Sequence, residues 1–313
     1  MDVLTDVLEA ARLKKGIYGR LDLTAPWGLS FHCAAAHFYV VTRGTCWLET
    51  GEGDPIQLGG GDFVLLPKGS PHAIKDAPAT PALPIEQALA KSDARPGGTV
   101  RYGGGGSATT LTGGFFSTEN GSQNLLFASL PPVLHVKGDA GTTVRWLEAN
   151  LQFVASEMAS GEPGFETIVS RLAEILVVQA ARAYLAEKGG ESKGWLRALV
   201  DPQIGRALSL IHEKPEGDWT VESLASEVGM SRSPFAARFA QLVEEPPLRY
   251  LTRWRMQKAS RLLETSHAGL AMIGMRVGYD AEAAFSKAFK RYAGVSPGAY
   301  RRKAESRTRP DLR

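Results

Sequence analysis

The chain reads as an α+β protein: a β-rich antiparallel sandwich or barrel, then a helical connector, then an all-α domain with two helix-turn-helix units. Three observations carry this reading. From Leu21 to about Val136, short apolar, β-branched or aromatic runs alternate with Gly/Pro turns, as in "FYVVTRGTCWLET" and "GDFVLLP". From Thr142 the apolar spacing becomes helical. In the last hundred or so residues, two segments repeat the same turn chemistry about fifty positions apart.

Taken in order, residues 1 to about 20 read as a helix, with Val3, Leu4, Val7, Leu8 and Leu13 on one side. The β-rich stretch follows. It is interrupted between Asp76 and Gly106 by a Pro/Ala/Gly-rich insertion ending "RYGGGG", which reads as a mobile loop. Two helices, "TTVRWLEANLQFVASEMAS" and "FETIVSRLAEILVVQAARAYLAEKG", are split by "GEPG". In the second, Ile168, Leu172, Ile175, Leu176, Val178 and Gln179 form a broad face that needs a cover, either a partner subunit or the barrel. "EKGGESKG" (187–194) reads as a flexible linker. The domain reading is therefore 1–140 for the barrel, 141–190 for the connector and possible dimerisation element, and 195–305 for the all-α domain.

Composition agrees with such a chain. At 313 residues it can hold two cores, and its 43% hydrophobic and 22% charged content is ordinary for a globular protein. No apolar run approaches the ~20 residues of a membrane helix, and the N-terminus lacks a signal-peptide pattern. Two cysteines are too few for a disulfide framework, so a cytoplasmic location is expected. The net charge of +3 is uneven. Residues 195–313 carry 20 Lys/Arg against 13 Asp/Glu, a balance of +7, and the first 194 residues sum to −4. A basic third on an acidic body suits a polyanion partner, although a solvated basic surface gives the same sum.

The repeat pairs "LASEVGMSRSPFAARFAQLVEEPPLRYL" with "IGMRVGYDAEAAFSKAFKRYAGVSPGAYR". Val228-Gly229 matches Val277-Gly278, Phe235 and Phe239 match Phe285 and Phe289, and Pro247 and Tyr250 match Pro297 and Tyr300. Each copy predicts a helix, a left-handed glycine turn, an N-cap at Ser231 or Asp280, and a second helix burying Phe at i and i+4. These residues, with "YLTRWRMQKASRLL" between the copies, make 200–302 resemble the AraC family of transcriptional regulators. The resemblance implies that both second helices read a double-stranded DNA operator, that the chain acts as a homodimer, and that RNA polymerase is a further partner. By motif position the first helix would present Arg232, Ser233, Ala236, Ala237 and Arg238. The second would present Glu282, Ala283, Ser286 and Lys287, with Lys290, Arg291 and Arg255 placed for phosphate.

The N-terminal region, through "APWGLS", "FYVVTRGTCWLE", "LGGGDFVLLPKGSPH" and "LPPVLHV", is similar to the cupin-type sensing domain of one branch of AraC-like regulators. Gly61, Pro67, Gly69 and His72 satisfy the second cupin motif. In the first motif, His37 stands where a Glu is usual, His32 keeps one His position, and Ser30 replaces the other. The resemblance thus implies a divalent metal (Zn, Ni or Fe) on His32, His37 and His72, or an organic effector hydrogen-bonded by the same imidazoles. His135 is a candidate pocket residue. His212 and His267 fall on helical segments and read as structural or solvated.

Three classes of function remain open at this point. The first is a DNA-binding regulator sensing a small molecule or metal ion, with a variant in which Cys33 and Cys46 form a redox switch. The second is a metal-dependent cupin enzyme fused to a DNA-binding module. The third is an architectural DNA binder with an idle barrel. The fusion itself favours the first, and no enzymatic activity is expected.

Overall fold

The computed structural model describes residues 13–51, 53–92, 98–118, 130–138, 162–188 and 195–308, with positions 3, 5, 6, 127, 153, 156 and 157. The chain divides into two compact units: residues 11–189, and residues 190–313 together with residues 1–10.

The first unit is a barrel of two sheets. One has the order β11-β6-β3-β10-β1-β9 and the other β5-β4-β7-β2-β8. The strands are β1 (Leu13–Thr24), β2 (Gly28–Phe31), β3 (Ala36–Arg43), β4 (Cys46–Thr50), β5 (Ile56–Leu58), β6 (Phe63–Leu66), β7 (His72–Lys75), β8 (Leu83–Pro84), β9 (Thr99–Gly103), β10 (Ala108–Thr118) and β11 (Leu134–Val136). Pairing is antiparallel except at two places, where β9 lies parallel to β1 and β8 parallel to β2. Both exceptions come from the Asp76–Gly106 insertion, which also forms helix α1 (Ile85–Lys91). Where it is described (76–92 and 98–106), the insertion is thus a structured edge of both sheets rather than a mobile loop. Likewise Leu13–Thr24 is a strand, not the end of a helix. Its Leu21 and Leu23 face the core while Arg20 and Asp22 lie on the other face.

Strands β3 and β6 show why simple alternation is missing from "AHFYVV" and "FVLL". Tyr39, Val41, Val64 and Leu66 point into the barrel core with Trp27, Leu29, Leu48 and Ile74. Phe38 and Phe63 point the other way, with ring centroids 6.2 Å apart, beside Tyr18 and Phe116. Both faces of these strands are buried, so both faces are apolar. Helix α2 (Phe165–Lys188) contacts β1 and β11 of the same sheet. It buries Val169, Leu172, Ala173, Leu176, Val177, Ala180 and Ala181. The barrel is therefore its cover, and its buried face is rotated from the expected one, since Ile168 and Ile175 are exposed. The segment "TTVRWLEANLQFVASEMAS" and the linker 189–194 lie largely or wholly outside the described residues.

The second unit is helical: α3 (Trp195–Val200), α4 (Pro202–Glu213), α5 (Val221–Glu227), α6 (Arg232–Val243), α7 (Pro247–Thr265), α8 (Leu270–Arg276), α9 (Glu282–Ala293) and α10 (Pro297–Thr308). The sequence repeat is a structural one. Gly229 and Gly278 adopt φ of 67° and 78°. The same six-residue closure follows each, Met230 N–H to Ala225 O and Tyr279 N–H to Gly274 O, both 2.9 Å. Phe235–Phe239 and Phe285–Phe289 pack at 5.7 and 5.8 Å. Phe239–Tyr250 and Phe289–Tyr300 meet edge-on at 5.8 and 5.4 Å. Pro247 and Pro297 each open the next helix, where a missing N–H costs nothing. The N-caps differ from expectation in detail. Ser231 holds the position without a side-chain cap bond, and Ala281, not Asp280, caps α9.

One asymmetry bears on stability. Both second helices end in a left-handed residue, Glu244 (φ 64°) in the first copy and Gly294 (φ 75°) in the second. A Cβ is strained there, and glycine removes the strain at some entropic cost. Glu244→Gly should therefore raise the stability of the helical unit by about 0.5–1 kcal/mol, visible as a higher Tm. An unchanged or lower Tm would show that the Glu244 side chain contributes more than its backbone costs.

Candidate nucleic-acid interface and sensing site

In α6 and α9 the exposure pattern repeats almost position by position. Phe235, Phe239, Phe285 and Phe289 are fully buried. Arg232, Ser233 and Ala237 are exposed on α6 with Ala236 half-buried; Glu282, Ala283 and Lys287 are exposed on α9 with Ser286 half-buried. Lys290 and Arg291 extend the exposed side of α9. The face opposite the phenylalanines is thus presented to solvent in both copies. Helix α7 joins them. Its 19 residues span about 28 Å at ~1.5 Å per residue, against a major-groove repeat of about 34 Å.

Two arginines expected at the DNA also make bonds within the protein. The Arg238 guanidinium binds Asp201 Oδ2 at 2.6 and 3.0 Å, while Asp201 caps α4 through the N–H groups of Gln203 and Ile204. Arg255 donates to the carbonyl oxygens of Pro215 (2.6 Å) and Gly217 (2.8 Å) and lies over the Tyr279 ring. It therefore ties the loop before α5 to the turn of the second copy. Spacing alone gave no sign of either role, because the partners are carbonyls and a cap distant in sequence.

The helical unit also holds a buried relay that composition did not reveal. Trp195 Nε1–H donates to Tyr250 Oη (3.0 Å), and Tyr250 Oη lies 2.7 Å from His212 Nε2. His212 Nδ1 is 3.2 Å from the Asp6 carboxylate. Burial lowers the His212 pKa, Asp6 opposing it, so the neutral imidazole donates to Asp6 and accepts from Tyr250. Asp6 thus belongs to this unit's buried network, although the domain reading placed residues 1–10 with the barrel. His212 is structural, and His267 is exposed in the segment before α8 rather than on a helix.

In the barrel, β3 and β7 bring His37 and His72 together, with ring centroids 4.9 Å apart and both side chains buried. Phe31 stacks on His72 at 5.0 Å, and Phe115 lies 5.6 Å from His37. His37 Nδ1–H donates to Ala35 O and His72 Nδ1–H to Ser70 O, each 2.8 Å. The remaining nitrogen of His72, Nε2, accepts from Tyr39 Oη–H at 2.7 Å. His37 Nε2 has no hydrogen-bond partner among the described residues. Burial lowers the His37 pKa and pushes His72 down to about 4, so both rings are neutral at pH 7.

This arrangement does not fit the three-histidine metal set. His32 is exposed, Tyr39 takes the outward nitrogen of His72, and no group of three metal-ligating side chains converges among the described residues. His135 serves the frame, since it meets Asp62 at 2.9 Å while Asp62 also accepts from Gly138 N–H. Nor do the cysteines form a redox pair. Cys33 is exposed, whereas Cys46 is buried in the barrel core and burial pushes its thiol up to about 12.

An unfolded imidazole takes up a proton near pH 6.5, whereas His72 resists protonation down to about 4. Between those values protons favour the unfolded chain, so barrel stability should fall as pH drops through them, by about 3 kcal/mol from His72 at the limit. His37 acts in the same direction. The barrel's thermal midpoint measured from pH 7 to 4 should fall, and His72→Gln should flatten the slope. Equal slopes in both proteins would mean that His72 is not held neutral.

Comparison with known proteins places both units. The Cupin family matches residues 2–186, and the Helix-turn-helix domain family matches residues 224–303. An AraC-like transcription regulator of Streptomyces lividans is 36% identical over 306 residues, covering 96% of this chain and 98% of its own. The HTH-type transcriptional regulator AlkR of Acinetobacter baylyi is 31% identical over 313 residues, covering 97% and 100%. A crystal structure of the DNA-binding domain of AdpA with a target DNA is 34% identical, covers 34% of this chain and 96% of that one, and has a TM-score of 0.33. No helix among the described residues is long and apolar enough to cross a membrane. The chain therefore belongs to the AraC-like transcription regulators: DNA-binding proteins with a cupin-type sensing domain ahead of two helix-turn-helix motifs.

Proposed function

We propose that the regulator senses a small organic molecule in the mouth of its barrel, at the box formed by His37, His72, Tyr39, Phe31 and Phe115. The observation that carries this is His37 Nε2, which has no hydrogen-bond partner among the described residues, beside a neutral His72 and two flanking aromatic rings. Such a site favours a molecule with a hydrogen-bond donor and a flat or apolar body over a bare cation. The enzyme reading has less support, because the relatives are transcription regulators and the donor set for a catalytic metal is incomplete. A homodimer belongs to the same proposal, with the exposed Ile168 and Ile175 of α2 as the apolar surface a second copy would cover. Contact with RNA polymerase is a further part of it.

At the DNA, we assign base contact to the exposed N-terminal turns of α6 and α9, with Arg232 and Lys287 as the cationic readers and Ala236, Ala237 and Ala283 limited to apolar contact. Lys290 and Arg291 are assigned to phosphate. Lys287→Ala should weaken binding to the cognate operator by about 1–3 kcal/mol and leave binding to random DNA almost unchanged. Gel-shift titrations with both DNAs measure this; equal losses on the two would reassign Lys287 to the phosphate backbone.

A further inference from the structure

A second feature of the barrel lies outside the histidine box, on the outer face of the six-stranded sheet. Strand register sets four side chains in one row across four strands. Arg101 of β9 pairs with Asp22 of β1, Asp22 with Thr110 of β10, and Thr110 with Arg43 of β3. Arg20 joins the row beside Asp22, its Nε 2.9 Å from Asp22 Oδ1, and the same oxygen accepts from Thr110 Oγ1 at 3.1 Å. The single carboxylate is therefore engaged. Arg43 and Arg101 have no acidic partner within 4 Å among the described residues, and both are exposed. These residues line a cleft of about 510 Å³, within the range of small-molecule sites.

The glycines of "RYGGGG" run along one side of the cleft, close against the end of β1. Thr24 O accepts from Gly104 N–H (2.8 Å), Thr24 Oγ1 from Gly105 N–H (3.0 Å), and Ala25 O from Gly106 N–H (2.8 Å). A Cβ on Gly103 would sit 1.9 Å from Thr24 O, and one on Gly106 would sit 2.7 Å from Ala25 O. The segment must therefore lie flat against the end of β1, and it forms a lip without side chains next to the arginines. Three guanidiniums and one carboxylate give the cleft a local charge of +2, in a part of the chain whose overall balance is negative.

We infer that this cleft is a binding site for a small organic dianion, bearing carboxylate or phosphate groups, held at its two ends by Arg43 and Arg101. Three strand spacings of ~4.8 Å put the two backbones about 14 Å apart, a gap that two arginine side chains are long enough to bridge onto a small ligand. Guanidinium forks match carboxylate and phosphate oxygens in pairs, which favours such groups over chloride. Asp22 holds Arg20 upright between them and disfavours a third negative group at the centre. The site is separate from the histidine box and stands or falls independently of it.

The test is isothermal titration of the full-length chain with succinate, citrate and pyrophosphate, each against sodium chloride of matched ionic strength. At least one probe should bind saturably at one per chain. The double variant Arg43→Gln/Arg101→Gln should bind it at least about tenfold more weakly, as expected when charge-assisted hydrogen bonds are lost. Lys68→Gln, an exposed charge elsewhere on the barrel, should leave the isotherm unchanged. No saturable binding by any probe, or equal binding by wild type and double variant, would overturn the site. So would a double variant that keeps its response to the probes but loses affinity for DNA, because the arginines would then be phosphate-backbone contacts.

Discussion

Burial of two phenylalanines, four residues apart, beneath a left-handed glycine turn is the constraint on which the DNA-binding unit depends. Phe235 and Phe239 in one copy, and Phe285 and Phe289 in the other, turn one side of each second helix fully inward. Helical geometry then leaves Arg232 and Ser233, or Glu282 and Ala283, on the opposite side. The glycines at 229 and 278 end the first helices so that the second can cross them. A residue with a Cβ at 278 would also strike the Arg255 guanidinium, at 2.7 Å from Cζ. That arginine links the two copies, so the second turn is constrained by packing as well as by φ, whereas Gly229 has open space around it.

The barrel rests on a different rule. Where a sheet is buried on both faces, alternation gives way to continuous apolar strands, and the inward residues become visible only through register. Tyr39 and Val41 face the core with His37 two residues ahead, so one polar ring is buried at the start of an apolar strand. An effector there can change DNA binding only by favouring one arrangement of the protein over another. The neutral imidazole of His37 would offer it one acceptor, Nε2, without the burial of a charge, which would cost far more.

Much of this was legible in the sequence because the repeat fixes turn, cap region and paired aromatics at matched spacing, and the second cupin motif fixes His72 at a strand start. What escaped had physical reasons. The Pro/Gly-rich insertion looked mobile because its glycines resemble a loop, yet they are needed where the backbone passes within contact of Thr24 and Ala25. The N-terminal helix reading failed from Leu13 because the β1 strand keeps apolar Leu21 and Leu23 on its core face, with Tyr18 covered by α2 on the other, and a few apolar residues fit either period. The internal bonds of Arg238 and Arg255 were hidden because an ion pair with Asp201 and bonds to distant carbonyls leave no local pattern. The exposure of His32 was hidden for a similar reason: motif spacing gives positions along the chain, whereas exposure is decided by the turn after β2.

The most direct test of the two-helix reading is methylation interference with the full-length protein on a tight-binding site selected from random double-stranded DNA. If both helices enter the major groove, methylated guanines should interfere in two blocks separated by about one helical turn, roughly 10 base pairs. A single block would contradict the account, leaving the exposed face of one helix, with either Arg232 or Lys287, without a role in reading DNA.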